Sequence, residues 1–216
     1  VSFLFATLFW FLSIDSGIRV NFYQSYAASI AWAGMLLFLL RYRYSGHWSA
    51  TVRVFHLVLG LGLLWACVHG LLFIYRHFDQ GGLILLYMLT LVWVADIGAY
   101  FSGRRFGSHK LAPGISPGKT WEGVAGGIVC NLGWMLIVFW LSAGGGLGLA
   151  QFLLAGLLTS AISVVGDLYE SVLKREASVK DSGSLLPGHG GVLDRIDGVI
   201  AATPVFIACL YAMGAV

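Results

Sequence analysis

The sequence is built from apolar runs separated by short polar connectors, and the runs are long enough to demand membrane-spanning helices. A helix needs about 20 predominantly apolar residues to cross the hydrocarbon layer. Such runs cover about 23–40, 54–75, 82–102, 121–142, 148–170 and 198–216, with a shorter one at about 1–14. Helix is the required conformation, because no water inside the bilayer satisfies an open strand's backbone. The pattern predicts an all-α fold, a polytopic transmembrane helix bundle of about seven spans. Only 11% of the 216 residues are charged, where a soluble domain carries about 25%. A disordered chain, a disulfide-built mini-protein and a free nucleic-acid-binding domain are thereby excluded, and no nucleic-acid partner is expected. The first run starts at Val1 with no basic stretch before it. It reads as a span whose native N-terminus lies upstream, not as a signal peptide.

Charge placement supports the span count. Arg41, Arg43 and Arg53 share one connector, Arg104, Arg105, Lys110 and Lys119 a second, and Lys174, Arg175, Lys180 and Arg195 a third. These alternate connectors hold 11 of the 13 Lys and Arg residues; only Arg19 and Arg76 lie elsewhere. Positive charge stays on the cytoplasmic side, which predicts cytoplasmic loops near 41–53, 103–120 and 171–197. Gly60-Leu-Gly62, Gly126-Gly127 and Gly144-Gly145-Gly146 fit close helix contacts or short turns. Cys67, Cys130 and Cys209 lie far apart in apolar runs and read as small buried hydrophobes. His56 and His69, within a span, and His47 and His77, in short loops, read as packing or interfacial residues.

The acids carry the chemistry. Eight of the ten Asp and Glu residues lie between 96 and 197, several inside apolar segments. There a charged side chain costs about 2.5–3.5 kcal/mol on insertion scales and is a functional hypothesis by default. Asp167, Glu170, Ser171 and Lys174 recur at i, i+3, i+4 and i+7, one face of a helix. That stripe predicts a polar cavity at the cytoplasmic side of the bundle. After it comes a Pro187-Gly188-His189-Gly190-Gly191 loop, whose backbone can approach a ligand closely. Asp194-Arg195-Ile-Asp197 then opens the last helix; an Asp at such a position is often a cap. Carboxylates among many cations suggest a divalent metal bridging acids to a polyphosphate, and Mg²⁺ is held this way. Zn²⁺ does not suit a chain with no thiolate–histidine constellation. Asp96 sits inside an apolar helix about two turns before a basic segment ending Ser116-Pro117-Gly118-Lys119-Thr120-Trp121-Glu122. Pro113 stands where a Walker loop needs its first glycine, so this is a phosphate-contacting loop of another kind, with Lys119 and Thr120 as donors.

The run Ser171-x-Leu173-Lys174-Arg175-x4-Lys180-Asp181-x-Gly183-x2-Leu186-Pro187-x-His189-Gly190-Gly191-Val192-x-Asp194-Arg195-Ile196-Asp197 resembles the full signature of the phosphatidate cytidylyltransferases, or CDP-diacylglycerol synthases. The Asp96 helix and its Ser116–Glu122 loop also resemble that family, particularly its bacterial members; the likeness is strong over about 90–216. The resemblance implies transfer of CMP from CTP to phosphatidate, giving CDP-diacylglycerol and pyrophosphate, with Mg²⁺ and a second, monovalent cation (K⁺) as cofactors. It places the metal at Asp167 and Asp194, with Asp96 and Asp197 in support. Lys174, Lys180 and Arg195 join the two principal acids as catalytic residues. Lys110, Lys119, Thr120, Ser171, Arg175, His189 and Gly190 are expected to meet substrate. Residues 1–80 then read as N-terminal membrane helices and 81–216 as the catalytic region, with the signature at 171–197. The implied setting is the bacterial inner membrane with the site facing the cytoplasm; a homodimer stays open. Two rivals stand beside this reading. An ion-coupled transporter would spread its acids through the membrane depth. A phosphoalcohol transferase would carry an Arg and later acids that Asp197-Gly198-Val-Ile-Ala-Ala-Thr203 lacks.

Overall fold

The computed structural model describes residues 18–43, 48–142, 146–185 and 190–216. Six helices account for most of them: α1 (Ile18–Arg41), α2 (Ala50–His77), α3 (Gly81–Phe106), α4 (Trp121–Leu141), α5 (Leu149–Glu176) and α6 (Leu193–Ala212). All six are long and apolar enough to cross a membrane, and the protein is a multi-pass membrane protein. The expected span at about 1–14 lies outside the described residues, as do Gly144, Gly145, His47, Pro187 and His189.

Boundaries differ from expectation where charge, and not conformation, ended the apolar run. α5 continues to Glu176, past about 170, because its polar stripe finds partners within the protein. α6 begins at Leu193 rather than about 198, so Asp197 lies inside the helix and is not its cap. His77 closes α2 instead of sitting in a loop, its ring stacked on Phe73 at 4.8 Å.

The bundle is organised around α6, the most buried span, which packs on α1, α2, α3 and α5. With little hydrophobic force between helices in lipid, close approach and internal polar contacts hold the bundle together. α3 and α4 form a tight hairpin: a Cβ at Gly127 would stand 2.8 Å from the Ala95 carbonyl oxygen, and one at Gly123 2.9 Å from that of Ala99. α5 meets α6 at Gly166, where a Cβ would lie 2.5 Å from the Asp197 carbonyl oxygen. Any larger residue at 166 pushes apart the two helices that carry Asp167 and Asp197. Asn131, fully buried, donates to the Leu91 carbonyl and to Ser160 Oγ, both at 2.8 Å, tying α4 to α3 and α5. Gly60 and Gly62 depart from the expected close contacts, since a Cβ at either would meet none of the described residues within 4 Å. Cys67 and Cys209 are buried as expected, whereas Cys130 is exposed on α4; all three are free.

One element is not helical. Lys110–Ala112 (β1) and Ser116–Thr120 (β2) pair antiparallel, Lys110 opposite Thr120 and Ala112 opposite Ser116. Pro113-Gly114 supplies the turn between them. The hairpin sits between two spans, outside the stretch where backbone must be helical. Ile115, 6% exposed, anchors it against Leu168 and Val172 of α5, and Arg175 Nε donates to the Ile115 carbonyl at 3.3 Å. Tyr42, after α1, reaches Glu176 at the end of α5. The connectors after α1, α3 and α5 therefore share one end of the bundle. At the other end Tyr211 donates to the Ile18 carbonyl at 3.0 Å.

Candidate active site

The hairpin explains how a lysine distant in sequence reaches α5. With Ile115 seated on α5 and the Trp121 amide bonded to the His109 carbonyl at 2.9 Å, β2 is fixed at both ends. Lys119 then extends to Asp167, Nζ to Oδ2 at 2.6 Å, with the two side chains 24% and 37% exposed. Asp96 on α3 and Asp197 on α6 are both within electrostatic reach of this pair. Three helices and the hairpin thus bring Asp96, Asp167, Asp197 and Lys119 together.

A second ionic centre adjoins the first. Lys174 Nζ lies 2.7 Å from Glu170 Oε2, one helical turn away on α5, and 2.7 Å from Asp194 Oδ1 on α6. The other oxygen of Asp194 accepts from the Ser182 amide at 2.9 Å, the Ser182 hydroxyl at 2.9 Å and the Gly191 amide at 2.8 Å. In the first turn of α6 this carboxylate also complements the helix N-terminus. Gly190 passes beside it at φ +80°, where a Cβ would stand 2.9 Å from Asp194 Oδ2. Asp194 therefore ties Ser182 and Gly191, on either side of the undescribed residues 186–189, to the start of α6. Glu170 links the two centres, being within electrostatic reach of Asp197 as well.

The remaining expected residues divide. Ser171 is half-buried on α5, and Arg175 is exposed with its Nε on the hairpin. Lys110, Lys180 and Arg195 are exposed at the same end of the bundle, Lys110 at the start of β1 and Arg195 in the first turn of α6. His189 lies outside the described residues. Thr120, expected to contact phosphate, is 4% exposed and caps α4, its Oγ accepting from the Gly123 amide at 3.1 Å. Asp167 and Asp194, expected to share one ion, stand in different ion pairs. Glu122 belongs to neither: it holds the start of the hairpin through Ser108 at 2.7 Å and the His109 ring at 2.6 Å. Glu170 was legible on the polar stripe, but only the fold makes it the link between Lys174 and Asp197.

Glu170 and Asp197 of the acid cluster line a cavity of about 630 Å³ between α1, α2, α5 and α6. Its wall is mostly apolar (Trp32, Leu57, Leu61, Leu64), with Glu170, Asp197, Arg53 and His56 among its polar residues; Asp167, Ser171 and Lys174, around which a polar cavity is expected, do not line it. Asp167 faces Lys119, and Glu170 and Asp194 face Lys174.

The donor chemistry suits a hard cation. Lys119 pairs with Asp167 and Lys174 with Glu170 and Asp194, while Asp96 and Asp197 lie within electrostatic reach of the Lys119–Asp167 pair. Glu170 Oε1 is buried with no hydrogen-bond donor on it. Among the described residues, no three acids, imidazoles or thiols enclose a metal site. Mg²⁺ does not require such a cage, since it is usually bound by one or two carboxylates together with substrate phosphates.

Residues 1–213 match the sequence profile described as the cytidylyltransferase family. The chain belongs to the cytidylyltransferase family. A phosphatidate cytidylyltransferase of Haemophilus influenzae is 45% identical over 187 residues, covering 82% of this chain and 65% of that protein. One of Pseudomonas aeruginosa is 48% identical over 188 residues, 87% of this chain and 68% of its own length. One of Bacillus subtilis is 47% identical over 130 residues, 60% and 48% of the two. This member of the cytidylyltransferase family thus spans 65% of the first relative's length, and the family profile covers the acid cluster.

Proposed function

We propose that the chain transfers CMP from CTP to phosphatidate, forming CDP-diacylglycerol and releasing pyrophosphate, at the inner membrane of a bacterium with the site facing the cytoplasm. The observation that carries this reading is a basic hairpin joined through Lys119 to an acid cluster, two of whose members, Glu170 and Asp197, line an apolar cavity. Such an arrangement suits one anionic substrate arriving from water and another arriving from the bilayer. The printed names of the relatives, phosphatidate cytidylyltransferase, support the same substrates. The basic connectors after α1, α3 and α5 support the cytoplasmic orientation.

In the transfer, an oxygen of the lipid phosphate attacks the α-phosphorus of CTP, and the bond from that phosphorus to the bridging oxygen of pyrophosphate breaks. The nucleophile is already an anion, so the protein's task is to hold two repelling groups in line. We assign Lys119 and Lys110 on the hairpin to the triphosphate, with Arg175, Lys180 and Arg195 completing a cationic rim. Lys174 orients Asp194, which holds Ser182 and Gly191 beside the acids, and we assign Ser171 and Gly190 to the same substrate approach. Mg²⁺ would be held by Asp167 and Asp197, with Asp96 and Glu170 beside them. When bound it neutralises charge on the transferred and leaving phosphates. A monovalent cation would be held by the same carboxylates.

Two measurements check this. Radiolabelled CTP should enter a lipid-soluble product only when phosphatidate is present, cease to do so with EDTA, and resume with Mg²⁺. Persistent incorporation under chelation contradicts the metal assignment. Lys119→Ala should raise KM for CTP about ten-fold or more while leaving residual turnover, since a charge-assisted contact is worth about 1.5–3 kcal/mol. An unchanged CTP titration removes Lys119 from the nucleotide.

A further inference from the structure

We propose that one face of α2 reads the lipid substrate, and that Gly60 sets how much acyl chain the cavity admits. The inference rests on the reading of phosphatidate as acceptor given above. Arg53, His56, Leu57, Gly60, Leu61 and Leu64 recur at i, i+3, i+4, i+7, i+8 and i+11, a single helical stripe, and all six line the cavity. The stripe is graded, with a basic and an imidazole side chain at the connector end and aliphatic surface below.

Both polar residues are held in place. His56 Nδ1 is 2.8 Å from the Tyr169 hydroxyl, and its ring stacks on Trp48 with centroids 4.2 Å apart and planes at 17°. Arg53 Nε donates to the Trp48 carbonyl at 2.9 Å. Glu170 and Asp197 of the acid cluster belong to the same cavity wall. An anionic headgroup at the acid cluster therefore has a cation beside it and a path for one acyl chain along Leu57, Leu61 and Leu64. Leu57 and Leu61 are 61% and 59% exposed although they line the cavity, so the path is a groove open along α2. Its volume is that of a small-molecule site.

Gly60 lies midway along this path. A mid-helix glycine weakens a helix, and among the described residues no neighbour requires one, since a Cβ would meet none of them within 4 Å. What the missing side chain preserves is the continuity of the groove. Gly62 has the same free space but lies outside the lining, which makes it the control.

The test compares Gly60→Leu, Gly60→Ala and Gly62→Leu in the full chain in detergent, at saturating CTP, with phosphatidates carrying short and long acyl chains. Gly60→Leu should raise KM for long-chain phosphatidate about ten-fold or more, because its side chain takes up space along the acyl path; ten-fold corresponds to about 1.4 kcal/mol of binding. It should leave KM for the short-chain lipid within about two-fold, and KM for CTP unchanged. Gly60→Ala and Gly62→Leu should match the unsubstituted protein. An unaltered chain-length profile in Gly60→Leu overturns the inference. So does an equal loss on short and long chains, which would mean that another helix or a second copy occupies the groove. If the unsubstituted protein uses no phosphatidate at all, the acceptor assignment itself falls, and the inference with it.

Discussion

Asp167→Asn should reduce CMP transfer by about 10²–10³-fold or more while the protein stays folded and Asp194 keeps its hold on Ser182 and Gly191. The substitution keeps size and shape but removes the charge that Lys119 contacts at 2.6 Å and that stands within electrostatic reach of Asp96 and Asp197. Removing one group that stabilises charge in a transition state typically costs that much in kcat. Asp194→Asn should be equally inactive for a different reason. Its Oδ2 accepts three hydrogen bonds, two of them from the backbone of the connector. An amide meets one oxygen's worth of those partners with an N–H instead of an acceptor, so that hold weakens. Limited proteolysis separates the two cases: a cleavage rate after α5 like that of the unsubstituted protein in Asp167→Asn, and a faster one in Asp194→Asn, which releases Ser182 and Gly191. Wild-type turnover in Asp167→Asn removes that residue from the site, and an unchanged cleavage rate in Asp194→Asn removes its anchoring role.

Lys174→Met should be the most destabilising single change in the site. The ammonium sits between two carboxylates at 2.7 Å each, with all three side chains less than one-fifth exposed. Losing one partner of a buried ionic group strands the rest and costs about 3–5 kcal/mol. Thermal unfolding in detergent should show a marked fall in Tm, larger than for Lys119→Met, whose pair with Asp167 is more exposed. Adding Glu170→Gln to Lys174→Met should recover part of the loss, because it removes one of the two stranded charges; such coupling is what a double-mutant cycle measures. A Tm change no larger than that of Lys119→Met contradicts the picture of Lys174 as a buried bridge.

Much of this architecture was legible because the bilayer leaves the chain few options. Apolar length and basic connectors gave the spans, and the i, i+3, i+7 spacing of Asp167, Glu170 and Lys174 gave the polar stripe that the structure turns inward. What the pattern did not carry was contact across elements. Nothing local says that Ile115 seats a hairpin on α5, yet that seat is what brings Lys119 to Asp167. Thr120 beside Lys119 reads as a phosphate donor, but a hydroxyl three residues before a backbone amide at a helix start is also a cap, and here it is one. Asp194 and Asp167 read as equivalent acids until their partners separate them. The largely apolar cavity was missed because its wall joins α1 and α2 to α5 and α6, distant in sequence.

The most direct test follows the phosphorus atoms. The protein is supplied with phosphatidate and CTP labelled at either the α or the γ position, and organic and aqueous phases are then separated. The account predicts α-label in the lipid phase as CDP-diacylglycerol, with γ-label left in water as pyrophosphate. Label from the γ position in lipid, or from neither, contradicts it.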